Sequence, residues 1–255
     1  MPSDYSPQIL GVLNLSPESM VKESIATSED EIEARARMLS ATGADWIDLG
    51  ARSITPDSPM IDDAEEQGRL LPALALLLRG QYSISVDTWS ESTAIAALGA
   101  GARAINFTGG QIGSKTLDVI ADNSATLFLT FMPYENAYEM RDSEPAQISL
   151  DRVLDHLAPQ IKAARSAGVR DVVIDPNLGI IHAATDDESK IHQQLEIIWN
   201  LEVLRGLGCP ILLYAARKPE RLARIMIASA IIHARADYIR THTPEMIKRL
   251  LNVNA

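Results

Sequence analysis

The sequence predicts an eight-stranded (β/α)8 TIM barrel, and three observations support this fold class. Short apolar runs alternate with helical stretches along the chain, which is typical of parallel α/β proteins. Eight such runs fit within 255 residues, the usual length of one barrel domain. Short turns such as TGAD, AGAR and AGVR end helices just before the following strands. We therefore expect a single domain over residues 1–255, with a doubly wound open sheet as the main alternative.

The eight predicted strands are rich in valine, isoleucine and leucine. They cover residues 8–16, 45–51, 82–88, 104–110, 125–132, 171–177, 210–216 and 237–242. In the third strand, YSISVDT, Ile84 and Val86 alternate with small polar residues, and Asp87 comes where the strand runs out. A carboxylate beside a barrel core is costly unless something pairs with it. The position of Asp87 therefore predicts a hydrogen-bonding or charged partner for its carboxylate, either in the protein or in a ligand.

Stretches with helical periodicity lie between the strands. They cover residues 28–43, 64–80, 90–101, 149–168, 186–208, 218–236 and 243–253. The first of them has an N-cap serine, an acidic first turn and a glycine at its end, which is the pattern of a complete helix. The third begins at Ser90, so Ser90 or Thr88 can cap it and Asp87 is not needed for that purpose.

Charge and cysteine content limit the classes of function. The formal net charge is −11 and the sequence pI is about 4.9, so nucleic acid and anionic membranes are poor partners. No apolar run approaches the roughly 18 residues of a membrane span. The single cysteine, Cys209, excludes an internal disulfide and is expected to be a small buried apolar residue. The first residues carry no basic, apolar leader, and we expect a cytoplasmic protein.

In a (β/α)8 barrel, chemistry belongs at the carboxyl ends of the strands. Polar residues are dense at those predicted ends: Asn14, Asp48, Arg52, Asp87, Asn106, Asp175, Asn177, Arg217, Lys218, Arg240 and His242. Asp87 and Asp175 are expected to face each other across the barrel mouth, with Asn106 beside them. These three side chains suit a flat, polar heterocycle. Lys218 and Arg240 can neutralise a phosphate or stack on a ring.

Six segments, in order from residue 9 to about 242, resemble motifs of the dihydropteroate synthase family of pterin-binding barrels. They are GVLNLSPESM, GADWIDLGARSITP, SISVDTWSESTAIAALGAGARAINFTGG, VVIDPNLGI, YAARKPE and YIRTH. The resemblance implies that Asp87, Asn106, Asp175 and Lys218 hold a pterin ring and that Arg240 packs over it. Of these, Asp87, Asp175 and Lys218 are the implied catalytic residues.

The resemblance also implies a reaction. This family joins a hydroxymethyl-dihydropterin diphosphate to an aryl amine, such as p-aminobenzoate, and releases diphosphate in folate biosynthesis. Asn14 and His242 are expected near the diphosphate, with Mg²⁺ as cofactor and Asn14 as its protein ligand. Pterin and aryl amine are thus the expected partners, and a homodimer is the expected assembly.

The acceptor side departs from the family pattern. The second loop usually reads Glu-Ser-Thr-Arg-Pro, but residues 52–56 read RSITP, and we predict that Arg52 supplies the missing charge. Pro219 replaces a serine on the seventh loop. The second-loop departures and the SPES first loop resemble those of the archaeal-type relatives associated with tetrahydromethanopterin, and this resemblance implies a bulkier aryl amine. The alternatives are a pterin-binding paralogue without synthase activity and a pterin-dependent methyltransferase.

Overall fold

The structure, a computed structural model, describes residues 5–55, 58–215 and 221–253. Eight parallel strands lie in these ranges, so the prediction of a (β/α)8 barrel is confirmed. They are β1 (Gln8–Asn14), β2 (Trp46–Gly50), β3 (Ile84–Thr88), β4 (Ala104–Phe107), β5 (Thr126–Thr130), β6 (Val172–Asp175), β7 (Leu212–Tyr214) and β8 (Tyr238–Thr241).

The strands pair in the order β6-β5-β4-β3-β2-β1-β8-β7. The two ends of this sheet, β6 and β7, meet through one isolated parallel bridge between Ile174 and Ile211. The N–H of Ile174 donates to the carbonyl of Pro210 at 2.9 Å. The sheet therefore closes into a barrel, and β6 and β7 are the neighbouring strands with the fewest paired residues.

Ten helices connect and cover the strands in the part of the chain that the structure describes. They are α1 (Glu29–Ala41), α2 (Asp63–Arg79), α3 (Glu91–Gly99), α4 (Ser114–Asp122), α5 (Ala137–Asp142), α6 (Leu150–Ser166), α7 (Asp187–Trp199), α8 (Leu201–Arg205), α9 (Arg221–His233) and α10 (Pro244–Val253). Ser28 caps α1 in a capping box with Glu31. Ser90 caps α3, which leaves Asp87 free of any capping duty.

The helices differ from the sequence prediction in two places. The prediction omitted α4 and α5, which have nine and six residues. The N-cap of α4 is Gly113, whose lack of a side chain gives no start signal. The predicted helix over 186–208 is divided into α7 and α8 at Asn200, whose backbone (φ −106°, ψ 23°) ends the first piece.

Two apolar layers hold the barrel. Alternate strand residues such as Ile84 and Val86 face outward and pack against the helices, where Cys209 is also buried. A separate, smaller cluster fills the lower interior of the barrel, where Phe128 meets the rings of Trp46 and Tyr238 edge-on. Burial of apolar surface in both layers stabilises the fold by roughly 25 cal/mol per Å². Among the described residues, no helix combines the length and apolarity needed to cross a membrane.

Above the inner apolar cluster, the barrel interior becomes polar. Side chains alternate along a strand, so the interior positions of β2, β3, β4 and β6 that follow the apolar layer are Asp48, Asp87, Asn106 and Asp175. Asp87 lies directly opposite Asn106 in the register of β3 and β4. The regular period of the strands thus delivers these polar groups to the carboxyl end of the barrel.

Candidate active site

A cavity of about 230 Å³ opens at the carboxyl ends of the strands. Its wall includes residues from all six of the sequence motifs. The lining side chains used below are those of Asn14, Arg52, Asp87, Trp89, Thr108, Tyr214, Arg240 and His242. Larger surface depressions occur elsewhere, but this cavity is the one that the strand-end residues face.

Arg240 is held between two carboxylates. Its Nε donates to Asp48 Oδ2 at 2.6 Å, and a terminal nitrogen donates to Asp87 Oδ2, also at 2.6 Å. Thr108 donates to the other oxygen of Asp87 at 3.2 Å. Charge-assisted contacts of this length are the strong class of hydrogen bond. Asp87 therefore meets Arg240 and Thr108 within the protein, and it also borders the cavity.

Asn106 lies beneath this pair and is almost completely buried. Its Nδ2 donates to the carboxylate of Asp48, at 3.2 Å to Oδ2 and 3.4 Å to Oδ1. Its Oδ1 is buried and has no hydrogen-bond partner in the described structure. A buried acceptor without a partner is costly, so this oxygen is suited to receive an N–H from a ligand.

Asp175 ends β6 and is buried among other charged groups. Its Oδ1 accepts the backbone N–H of Asn177 at 2.8 Å. Asn177 has a left-handed backbone (φ 64°), which asparagine tolerates better than most residues, and its side chain ties the following loop to Ile180. This short, tied loop fixes the direction of the Asp175 carboxyl.

Burial raises the pKa of the Asp87 and Asp175 carboxyls from the ordinary value of 3.8. The pKa of Asp87 rises to about 6; Arg240 opposes the rise, whereas the charge of Asp48 adds to it. The pKa of Asp175 rises to about 7, mainly through desolvation, with the Asn177 N–H and Arg240 opposing it. Three carboxyls thus share one guanidinium, and the pKa of Arg240 is raised in turn. Such a site favours a positively charged or N–H-rich ligand.

Asn14 and His242 lie on the cavity wall, at the ends of β1 and β8. The Oδ1 of Asn14 accepts the N–H of Ser16 at 2.9 Å, and an amide oxygen has a second lone pair for another partner. The Nε2 of His242 is 3.0 Å from the Tyr214 hydroxyl. Both predicted residues therefore border the same cavity as Asp87.

Arg52 also borders the cavity, but two carboxylates already neutralise its charge. One terminal nitrogen contacts Asp63 at 2.5 Å and Glu66 at 3.0 Å, both on α2. The guanidinium lies 5.1 Å from the ring centre of Trp89. Glu66 is fully buried and also accepts hydrogen bonds from the hydroxyls of Thr88 and Thr93. The structure therefore gives Arg52 a place in the wall with two carboxylates already beside it.

The second loop is tied to the short helix α5. Arg141 donates to the carbonyls of Ser53 and Ser58 at 3.0 and 2.9 Å, and to the Ser58 hydroxyl at 2.8 Å. Its guanidinium also lies over the ring of Tyr138. This loop carries Ile54 and Thr55 at the cavity, where the family pattern has threonine and arginine.

Lys218, together with Arg217 and Pro219, lies outside the described residues. Its predicted contact with a pterin remains a prediction. Of the other predicted residues, Arg240 is hydrogen-bonded to Asp87 directly and is linked to Asn106 through Asp48. Asp175 is near enough for the charges of Arg240 and Asp87 to shift its pKa. Asp48 was predicted at a strand end but was given no role, and Thr108 and Tyr214 were not predicted. The alternation of side chains along β2 was the one signal for Asp48.

In the described part of the chain, no three His, Cys, Asp or Glu side chains are grouped so that they could hold a metal ion alone. Mg²⁺ does not need such a group, because it usually binds one or two protein oxygens together with water and substrate phosphates. The amide oxygen of Asn14 at the cavity wall fits that requirement.

Comparison with known proteins agrees with this geometry. The family described as "Pterin binding enzyme" matches residues 10–237. The chain is 28% identical to a dihydropteroate synthase of Bacillus subtilis (strain 168), over 95% of this chain and 85% of the relative. It is equally similar to a type-2 dihydropteroate synthase of Escherichia coli, over 97% and 94% of the two chains.

Solved structures give the same picture. The dihydropteroate synthase of Thermus thermophilus, in complex with 4-aminobenzoate, superimposes with a TM-score of 0.78 at 26% identity, covering 97% of this chain and 93% of that one. The Yersinia pestis enzyme, at 20% identity and a TM-score of 0.82, confirms the fold over 97% and 92% of the two chains. The family match covers most of the chain, so the resemblance is confirmed: this protein belongs to the pterin binding enzyme family.

Proposed function

We propose that this protein is a dihydropteroate synthase-like transferase. It joins a hydroxymethyl-dihydropterin diphosphate to an aryl amine, p-aminobenzoate or a bulkier derivative, in folate or methanopterin biosynthesis. The observation that carries the proposal is the group of acceptor oxygens at the barrel mouth, formed by Asp87, which borders the cavity, and by the buried Asn106 and Asp175. A pterin ring offers N–H groups to such a set. The relatives of this protein that are named dihydropteroate synthases support the same activity.

In the proposed reaction, the bond between the pterin methylene carbon and the diphosphate oxygen breaks first, and the bonding electrons leave with diphosphate. A bond to the amine nitrogen then forms, and the amine loses a proton. Positive charge develops on the ring between these steps. The ionised carboxylates of Asp87 and Asp175 stabilise that charge, since they are already fixed in a site of low polarity. No covalent bond to the protein is required.

Arg240 and His242 face the cavity and are proposed to contact the substrate, Arg240 at the ring and His242 at the diphosphate. Arg52 remains a proposed contact from the second loop, and Lys218 a proposed contact and catalytic group from the seventh. We propose Mg²⁺ as cofactor, with Asn14 as its protein ligand. When bound, the ion would neutralise charge on the departing diphosphate.

A pterin-binding paralogue without synthase activity is the second candidate. The state of Arg52 favours it, because Asp63 and Glu66 already neutralise that guanidinium. Turnover with an aryl amine would exclude this candidate, and tight pterin binding without turnover for any amine would favour it.

We also propose a cytoplasmic homodimer. Leu222 and Met226 on α9 are 67% and 63% exposed, and Trp199 at the end of α7 is 74% exposed. Leu222 and Met226 lie four residues apart and so share one face of α9, and a second copy of the chain would cover this apolar face. Sedimentation of the protein, with and without Met226→Glu, tests the dimer. The single cysteine agrees with a reducing compartment.

The decisive experiment is titration of the protein with the pterin diphosphate and Mg²⁺, followed by diphosphate release with added aryl amine. Asp87→Asn is expected to weaken pterin binding at least about tenfold, since a hydrogen bond to a charged group is lost. Asp118→Asn, on the exposed face of α4, is the matched control and should bind like the wild type. Wild-type protein that binds no pterin diphosphate would refute the proposal.

A further inference from the structure

Asp48 is a fully buried carboxylate in the middle of β2 (0% exposed). Like Asn106 and Asp175, it lies behind the residues that line the cavity, but unlike Asn106 it has no side-chain atom left for a ligand, because both of its oxygens are engaged. Its oxygens accept hydrogen bonds from Arg240 Nε and from Asn106 Nδ2. Any influence of Asp48 on a ligand must therefore pass through these two side chains.

The first effect of Asp48 is on the orientation of the Asn106 amide. An ionised carboxylate accepts hydrogen bonds and cannot donate them. The Asn106 side chain must therefore turn its NH2 group toward Asp48, and its oxygen must point the other way. That oxygen is the buried acceptor without a partner. Asp48 thereby determines that Asn106 offers an acceptor, and never a donor, to the ligand.

The second effect is on Arg240. Its two carboxylate contacts have equal lengths of 2.6 Å but different surroundings. Asp48 is sealed inside the barrel, whereas the Asp87 side chain is 23% exposed and borders the cavity. A ligand N–H can compete for Asp87 but cannot reach Asp48. Arg240 can then release Asp87 and keep its Nε on Asp48.

We propose that Asp48 is a positioning residue for the pterin site. It fixes the amide of Asn106 with its oxygen toward the ligand, and it anchors Arg240 by Nε while the other end of the guanidinium exchanges Asp87 for the ligand. This inference rests on the proposed function, because it takes a pterin as the ligand that offers the N–H groups.

The first test is Asp48→Asn, which keeps the shape and removes the charge. The matched control is Asp45→Asn, which removes a carboxylate just before the same strand, at the opposite end of the barrel. We expect Asp48→Asn to weaken binding of the pterin diphosphate about tenfold or more, with the same increase in its KM. Asp45→Asn should leave both values unchanged. Equal binding by Asp48→Asn and wild type would overturn the proposal.

The pH profile separates positioning from a general loss of structure. The groups around Asp87 are Arg240, Asp48, Glu66, Thr108 and Asp175. The charge of Asp48 raises the pKa of Asp87 and of Asp175. Removing that charge should therefore move the acid limb of kcat/KM to lower pH. A variant that is merely less stable would keep the acid limb where it is in the wild type, and this result would also overturn the proposal.

An exchange variant covers the case in which Asp48→Asn does not fold. Asn106→Asp alone places two carboxylates against each other and should bind pterin poorly. Asn106→Asp combined with Asp48→Asn swaps amide and carboxylate, again presents an acceptor to the ligand, and should recover part of the binding. If the single Asn106→Asp variant binds as well as the exchange variant, Asp48 does not act through Asn106.

A measurement without ligand distinguishes failure of this inference from failure of the proposed function. The side-chain Nε–H of Arg240 should give a slowly exchanging nitrogen-15 NMR signal in wild type and in Asp45→Asn, but not in Asp48→Asn. Loss of pterin binding in the wild type would refute the proposed function. An Arg240 signal that is unchanged in Asp48→Asn would refute the positioning role by itself.

Discussion

Two arginines border the same cavity and have the same number of carboxylate partners, but they belong to different parts of the molecule. Arg240 contacts Asp48 and Asp87, which lie on barrel strands beneath the cavity. Arg52 contacts Asp63 and Glu66, which lie on the surrounding helix α2. Arg240 uses two different nitrogens, whereas the ion pairs of Arg52 converge on one.

The difference indicates what each charge does. The partners of Arg240 include a carboxylate that a ligand can reach, so binding can exchange one contact for another. The ion pairs of Arg52 hold α2 and the second loop together. Without Arg52, Glu66 would be a buried carboxylate with no cation beside it. Of the two arginines, Arg240 is therefore the one whose carboxylate contact a ligand can replace directly, whereas both carboxylate partners of Arg52 belong to α2.

The largest expected effect comes from Arg240→Lys. Lysine keeps the charge but cannot place two N–H groups on Asp48 and Asp87 at once. With two charge-assisted hydrogen bonds disturbed, kcat/KM should fall about 100-fold or more. Steady-state diphosphate release measures this. The two ion pairs of Arg52 converge on one nitrogen, which lysine can replace, so Arg52→Lys keeps the charge of this proposed contact and should lower kcat/KM less than about threefold. An equal loss in both variants would remove the distinction between the two arginines.

Arg52→Gln should act on stability. It leaves the buried Glu66 without its cation, which is expected to cost about 3 kcal/mol of unfolding free energy. Denaturant unfolding measures the loss. Adding Glu66→Gln removes the unpaired charge and should restore most of the stability. If the double variant is no more stable than the single one, the Arg52–Glu66 ion pair does not stabilise this part of the barrel.

A smaller effect is expected for Asp175→Asn, and it depends on pH. The folded pKa of Asp175, about 7, lies above the ordinary 3.8, so the native state binds more protons than the unfolded state between these values. The contribution of Asp175 to the unfolding free energy of the wild type therefore decreases as pH rises from 4 to 7. The variant lacks this loss and should be more stable at pH 8 by about 1–4 kcal/mol.

The gain in Asp175→Asn should shrink as pH falls toward 4, because the carboxyl is then protonated in the folded state and begins to be protonated in the unfolded state as well. Thermal unfolding at pH 8 and pH 4.5 measures it, and pterin binding should weaken in the same variant. A gain that is equal at both pH values would show that ionisation of Asp175 is not its cause.

The strands and the site residues at their ends could be predicted because a strand has a fixed period. Ile84 and Val86 face the helices, and the same alternation sends Asp87 inward, beside Asn106 in the neighbouring strand. Family motifs then indicated a ligand for them. The helix α4 escaped prediction because a glycine begins it, and α7 and α8 were merged because the break at Asn200 carries no proline or glycine.

The partners of long side chains could not be predicted. Arg240 is 192 residues from Asp48 along the chain, and their contact depends on the closure of the whole barrel. Arg52 meets Glu66 and Asp63 because of how α2 packs on the strands, which no local pattern records. Sequence therefore identified charged groups at the barrel mouth, but not which of them neutralise one another.

The single bridge between Ile174 and Ile211 makes the barrel wall unequal in stiffness. Elsewhere, adjacent strands share at least three registered residue pairs, so widening the wall there requires a whole ladder to break. Between β6 and β7, one backbone hydrogen bond is the main restraint. Asp175 and Tyr214 stand on either side of this gap. Inhibitors with a ring wider than a natural substrate should therefore be accommodated when the extra atoms point toward that gap, and rejected when they point toward β3 and β4.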